Sequence, residues 1–240
     1  MTAAGGRAKR TFLLALCLLA ALLFGALGVW QVERRAWKLD LIERVNARIH
    51  ADPAPVPPPS SWPAFDAGGE EYRRVRATGA FLHNRETLVD ALTERGAGSW
   101  VLTPFRLEEG GTVLVNRGFV PPERRSPAAR AAGQVEGPVT LVGLLRAPEP
   151  GGRFLRANVP AQNRWYSRDV ATIAQARGVP QVAPFFIDAD ARPNPGGYPV
   201  GGLTVVQFRN THLIYALTWF GLAALSLTGF VLVWRSGRPR

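Results

Sequence analysis

The sequence of 240 residues carries one cysteine, one methionine and three histidines, and each scarcity removes a class of chemistry. Cys17 stands alone inside an apolar run, so the chain can build no internal disulfide, no CxxC redox pair and no thiolate cluster for copper or zinc. Met1 is the only methionine, which leaves copper no thioether ligands to replace the missing thiolates. Copper and zinc are therefore not expected. Catalytic signatures are missing as well: there is no GxSxG, no HExxH, no P-loop and no paired-acid catalytic motif at helical spacing. Isolated acids such as Asp90 and Asp188 read as turn or surface residues, and no enzyme is expected. Lysine is nearly absent too, with only Lys9 and Lys38, so the formal net charge of +11 is carried by arginine.

That charge raises the question of nucleic acid. Six of the 29 basic residues (Arg7, Lys9, Arg10, Arg235, Arg238 and Arg240) lie in the two terminal tails, and the rest face all 18 acids. No basic run and no RNA-binding aromatic motif accompanies them, so nucleic acid is not an expected partner. A lipid bilayer is, because arginine in short flanks orients membrane segments and is attracted to anionic head groups.

The segments to be oriented are two uncharged apolar runs, Thr11 to Val32 and Leu213 to Trp234. Helices of about 22 residues extend about 33 Å, enough to cross a hydrocarbon core about 30 Å thick. The first run exceeds the core of a signal peptide, about 7–15 residues, and Gly25-Ala26-Leu27-Gly28 is a poor cleavage site, so an uncleaved anchor is expected. Tyr215, Trp219 and Trp234 suit interface anchors of the second. Two crossings put everything between Glu33 and His212 on one side. The basic tails read as cytoplasmic, which makes the chain a multi-pass protein of the cell inner membrane with its central domain periplasmic.

The expected fold class is thus an α+β membrane protein: a two-helix transmembrane hairpin enclosing one β-rich periplasmic domain, with a partly closed barrel as one form of that domain. Residues 1–10 form a cytoplasmic tail, 11–32 the first span, 33–51 an amphipathic stalk, 52–71 a Pro-rich linker acting as a semi-rigid spacer, 72–208 the β-rich domain, 209–234 the second span with its outer cap, and 235–240 the other tail. Alternating or β-branched runs predict strands over Tyr72 to Phe81, Trp100 to Leu107, Thr112 to Val120, Val139 to Arg146, Phe185 to Asp188 and Leu203 to Phe208. Glu108-Glu109-Gly110-Gly111 marks a hairpin between the second and third. One helix is predicted over Asp169 to Arg177, capped by Asp169 or Ser167 and stopped by Gly178.

One polar residue stands apart. His212 sits at the outer mouth of the second span and shares a helix stripe with Tyr215 and Trp219. An imidazole beside aromatic and small residues at the edge of the hydrocarbon suits a haem iron ligand. It equally suits an interfacial histidine that bonds a head group or helps Asn210 and Thr211 start the helix. Trp30 and Gln31, near the outer end of the first span, would either wall a shared site with it or simply pack the two helices.

Three blocks resemble the Surfeit locus protein 1 family: Gly28-Val29-Trp30-Gln31 with Arg34-Arg35-Ala36-Trp37-Lys38, then Val115-Asn116-Arg117-Gly118-Phe119-Val120-Pro121, then Arg209-Asn210-Thr211-His212 continuing to Gly221. Tyr72, Val75, Gly79 and Phe81 match a weaker block. Phe119 departs from a tryptophan usual in the family, and Thr211 from a common second asparagine. The resemblance implies an assembly factor for haem-copper terminal oxidase (cytochrome c oxidase biogenesis) that assists haem a insertion into the largest oxidase subunit. It implies oxidase subunits as partners, haem a synthase as a further candidate, and haem a as a transiently bound cofactor with His212 as iron ligand. A haem-free membrane scaffold that binds oxidase subunits is the alternative. Arg117 offers a guanidinium suited to a carboxylate or haem propionate, or else serves as a structural corner.

The two apolar runs and the basic tails predict that reporters fused to either terminus report cytoplasm and one inserted near Gly151 reports periplasm. Opposite compartments for the two termini would sink the two-span topology.

Overall fold

A computed structural model describes residues 2–153, 155–206 and 208–236. Arg238 and Arg240 of the expected tail and Gln207 of the expected last strand lie outside the described residues. The chain divides into two compact units, one made of the residues up to Arg44 together with those after Val206, the other of Val45–Val206.

The first unit is helical. Helix α1, Thr2–His50, runs through the first apolar run and the amphipathic segment without interruption, because no proline occurs before Pro53. The ring of Pro53 disfavours helical backbone at Asp52, and the helix ends at once. Helix α4, His212–Ser236, covers the second run. Both are long and apolar enough to cross a membrane, and only 11% and 6% of their most apolar stretches are buried, so neither is the core helix of a soluble domain. Small residues let the two backbones approach. Ala21 and Ala216 are buried, and a Cβ on Gly28 would meet the Phe220 ring at 2.5 Å. Phe24 stacks on Trp219 with centroids 5.6 Å apart, and the Arg10 guanidinium donates to the Trp234 carbonyl at 2.8 Å.

The second unit is a closed barrel. Its strands are β1 (Ala54–Pro55), β2 (Arg74–Phe81), β3 (Thr87–Thr93), β4 (Gly96–Leu107), β5 (Thr112–Val120), β6 (Val139–Arg146) and β7 (Val182–Ala189). Neighbours run β1-β2-β6-β7-β5-β4-β3, and β2 also pairs with β4, which closes five strands on themselves. All pairs are antiparallel except β1 with β2 and β5 with β7. Closure depends on the length of β4. One edge of its 12 residues pairs with β3 through Gly96–Leu102 and with β2 through Phe105–Leu107, while the other edge pairs with β5 around an irregularity between Trp100 and Leu102.

Period-two alternation builds two cores from the same strands. Val113, Val115, Phe185 and Ile187 point into the barrel with Val75, Phe105 and Leu145. Leu114 and Phe186 point outward, where Trp165 and helix α3 (Val170–Ala176) cover them through Val170 and Ile173. Every residue of β5 is buried, the polar Thr112, Asn116 and Arg117 included, so both faces of this strand are covered. Asp169 caps α3, its carboxylate accepting the Thr172 N–H at 3.1 Å and the Thr172 hydroxyl at 2.8 Å.

Three segments differ from expectation. The Pro-rich stretch 52–71 packs onto the barrel instead of standing off as a spacer: β1 pairs with β2, Val56 is buried, Trp62 and Phe65 pack against the interior cluster, and the stretch ends in the one-turn helix α2 (Ala67–Glu70). Its prolines suit an edge, where no N–H is needed, and its aromatics have apolar surface to cover. Strand β3 was not expected, since Thr-Leu-Val-Asp-Ala-Leu-Thr alternates weakly and sits between charged residues. No strand occurs over Leu203–Val206, where the extended chain finds no ladder partner and Val205 stays 63% exposed.

Gly118 fixes the end of β5. Its φ is +128° and an added Cβ would lie 2.1 Å from the Val200 carbonyl oxygen, in the bridge where Phe119 and Val200 exchange 2.9 Å N–H bonds. Gly118→Ala should destabilise the protein by about 2–4 kcal/mol, from the strained backbone plus the clash. Thermal melting of the detergent-solubilised chain checks this, and an unchanged midpoint would contradict it.

Candidate functional site

In the helical unit, the last turn of the first apolar run and the first turn of α4 bring Gln31 and His212 together. Gln31 is buried, and its Oε1 lies 2.7 Å from Nδ1 of His212. An amide oxygen can only accept, so the contact is satisfied by an Nδ1–H donor, and the neutral tautomer with that proton leaves a lone pair on Nε2. This is the arrangement in which a histidine ligates a metal through one nitrogen while a carbonyl holds the other. The pairing was not foreseen as a contact; the sequence placed the two residues at one depth only. Trp219 packs on Phe24. Tyr215 and Trp30, one turn beyond His212 and next to Gln31, are each 54% exposed and therefore free to meet a flat apolar ligand. Among the described residues no three His, Cys, Asp or Glu side chains cluster as a metal cage, so an iron here would have to arrive within its own macrocycle.

Arg117 belongs to the barrel unit and is not a surface hook. It is 2% exposed, lies over the Phe81 ring at 4.7 Å, and donates through Nη2 to the Gly133 carbonyl and to Asn194 Oδ1 at 3.1 Å. These bonds hold the turn before β6 and the loop after β7, the structural-corner role. Yet Nε and Nη1 have no hydrogen-bond partner among the described residues. Burial, with Arg130 nearby, pushes the guanidinium down to about 10. The neighbouring charge is matched: Arg130 forms a buried bidentate pair with Glu86, Nη1 to Oε2 at 3.0 Å.

The strongest polar constellation was missed. Asp188, read from sequence as a turn or surface acid, is 2% exposed on the outward face of β7. Its carboxylate accepts Asn116 Nδ2 at 2.7 Å, Arg146 Nη1 at 2.8 Å, Thr204 Oγ1 at 2.9 Å and Arg168 Nη1 at 3.2 Å. Arg146 also reaches Glu71 at 3.2 Å and Arg168 reaches Glu149 at 3.0 Å, so both cations are doubly paired. An acid inside the apolar run Phe-Phe-Ile-Asp-Ala is the signal that would have found it, since such an acid stays buried only with cations beside it. The cluster joins β5, β6, β7 and two loops, and its charges satisfy one another.

A closed five-stranded barrel whose sequence is flanked by two long apolar helices defines the class of protein. The model of the SURF1 family matches residues 18–224, and the chain belongs to that family. It is 43% identical to the SURF1-like protein of Monosiga brevicollis, over 89% of this chain and 84% of that one. It is 41% identical to Surfeit locus protein 1 of Mus musculus (87% of this chain, 71% of that one) and 39% identical to that of Homo sapiens (87% and 73%).

The corner near Arg117 makes a pH-dependent contribution to stability. Burial holds His83 below the ordinary histidine value, and Arg117 and Arg130 push in the same direction against Glu86 and the Val135 carbonyl, which Nε2 meets at 2.8 Å. Nδ1 is buried without a partner, so a second proton has no acceptor. With the folded value below the unfolded one, this contribution is fully present above about pH 6.5 and is lost as pH falls below it. Melting midpoints measured across that interval should drop less steeply in His83→Gln than in the parent. Parallel slopes would refute the assignment.

Proposed function

We propose that this protein is an assembly factor for haem-copper terminal oxidase that holds haem a on its two membrane helices during maturation of the largest oxidase subunit. The observation that carries the reading is the His212–Gln31 contact at 2.7 Å, which leaves Nε2 as a free ligand nitrogen. α1 and α4 span the cell inner membrane, and the barrel stands in the periplasm, where it meets oxidase subunits; haem a synthase is the expected donor. Bound haem a supplies the iron. His212 would hold it through Nε2, Gln31 would fix the ring's tautomer and orientation, and Trp30, Tyr215 and Trp219 would provide apolar surface beside it. The role is delivery, not catalysis, and no copper or zinc is assigned.

A haem-free scaffold is the competing reading, and one experiment separates the two. The full chain is co-expressed with haem a synthesis, purified in detergent, and its haem-to-protein ratio read from the Soret band. His212→Ala should lose haem while still inserting in the membrane. Gln31→Leu should weaken haem binding by about 10–100-fold, as loss of an orienting carbonyl does at metal sites. His83→Ala and His50→Ala should retain it, since His83 contacts the Val135 carbonyl and His50 the Asn46 carbonyl, each at 2.8 Å and outside the helix-pair contact. Full retention in His212→Ala, or equal loss in His83→Ala, would favour the scaffold.

A further inference from the structure

The barrel unit contains a second place built for a ligand. Between the first half of β6 and the loop after β7 lies a cavity of about 220 Å³, lined by Phe81, Val139 and Leu141 and by Arg117, Asp190 and Arg192. Two features mark it as more than a packing fault. Arg117 is a buried cation with two unpartnered nitrogens and no carboxylate among its bonds, a state that costs free energy unless an anion completes it. The lining also holds one positive charge in excess, since the charges of Arg117 and Arg192 are opposed only by Asp190, whose Oδ1 accepts the Arg192 N–H at 3.1 Å. The nearby Arg130 and Glu86 cancel one another.

The strand beside the cavity is half open. Leu145 N–H bonds to the Arg73 carbonyl just before β2, so the odd residues of β6 face β2 and the even ones face the other edge. On that edge β7 pairs only from Gly143 onward. The Val142 carbonyl takes the Asp190 N–H at 3.0 Å and the Thr140 carbonyl takes Arg192 Nη1 at 3.4 Å, with the Thr140 N–H turned to the same side. A backbone donor, a buried guanidinium and apolar walls thus converge on one small space. The volume falls below the range of about 300–1,000 Å³ typical of drug-sized ligands, so it has room for a carboxylate and one short apolar group and none for a macrocycle.

We propose that this cavity binds a monocarboxylate carried on a short branched apolar group, the chemistry shared by the C-terminal residue of a polypeptide and a free short-chain acid. The carboxylate supplies an acceptor to Arg117, Arg192 supplies the second positive charge at the rim, and the apolar group rests on Val139, Leu141 and Phe81. Nothing in this assignment depends on haem.

The test uses the full chain in detergent, made without haem a synthesis, and titrates N-acetyl-glycyl-valine, its C-terminal amide and isovalerate by calorimetry. At least one of the acids binds, and the amide binds at least about tenfold more weakly than the dipeptide, the loss expected for a charge-assisted hydrogen bond. Binding of the dipeptide alone assigns a chain terminus as the source, and binding of isovalerate at equal or better affinity assigns a free acid. Arg192→Glu, at an exposed position, weakens binding about tenfold, whereas Asp190→Asn, which keeps the Oδ1 acceptor, strengthens it about threefold. Arg117→Gln abolishes it; should that variant fail to fold, the two rim variants still decide. No binding of either acid, equal affinity for dipeptide and amide, or an unchanged affinity in Arg192→Glu overturns the proposal.

Discussion

The barrel depends on one buried negative charge. Asp188 sits on the outward face of a central strand, and no apolar residue at that position would draw Asn116 of β5, Arg146 of β6, Arg168 of the preceding loop and Thr204 of the following one to a single point. The arginines are in turn stacked on aromatics: Arg146 lies 4.8 Å from the Tyr72 ring and Arg168 lies 4.7 Å from Phe186. A buried pair of this kind adds little net stability over an apolar replacement, but breaking it costs about 3–5 kcal/mol because a charge is left behind. Its value is in register. A one-residue slip of β7 would turn Asp188 toward the apolar interior of the barrel and away from Asn116, Arg146, Arg168 and Thr204.

The two units handle their polar groups differently. In the barrel the buried charges of Asp188 and Arg130 are paired, and Arg117, with two unpartnered nitrogens, lines a cavity. On the helices the apolar side chains are left bare and the few buried positions are small or amide-bearing, so the contact between α1 and α4 comes from close approach at Gly28 and Ala216 and from two hydrogen bonds, Gln31 with His212 and Arg10 with the Trp234 carbonyl. A buried polar pair such as Gln31 and His212 between otherwise apolar helices fixes which turn faces which, as buried polar residues do in coiled coils.

Both helices and most strands were legible because their signals are local. Apolar length finds the helices, alternation finds β2, β5 and β6, and Asp169 with Gly178 brackets α3. What escaped depends on partners distant in sequence. β3 has weak alternation and becomes a strand because β4 is long enough to offer it an edge, while 203–206 has fair alternation and stays irregular because no edge is left. Asp188 looked like a surface acid until Arg146 and Arg168, 42 and 20 residues away, came to it. His212 was legible as a residue of interest from its place on an apolar helix; the hydrogen bond that gives its ring a direction was not, since it joins residues 181 apart.

The order of strands in the barrel also has a consequence for synthesis. β7 is made last but lies between β5 and β6, so until Ala189 has emerged those two strands present unpaired edges, one of them the wholly buried β5. The nascent domain therefore passes through an open, adhesive sheet rather than a smaller closed one, and it is vulnerable to pairing with other chains for as long as the ribosome takes to cover the stretch from Val120 to Ala189. The second apolar helix follows within a few tens of residues. Closure of the barrel and arrival of the last span are thus nearly simultaneous events, and a pause in translation between them would expose the chain at its stickiest stage.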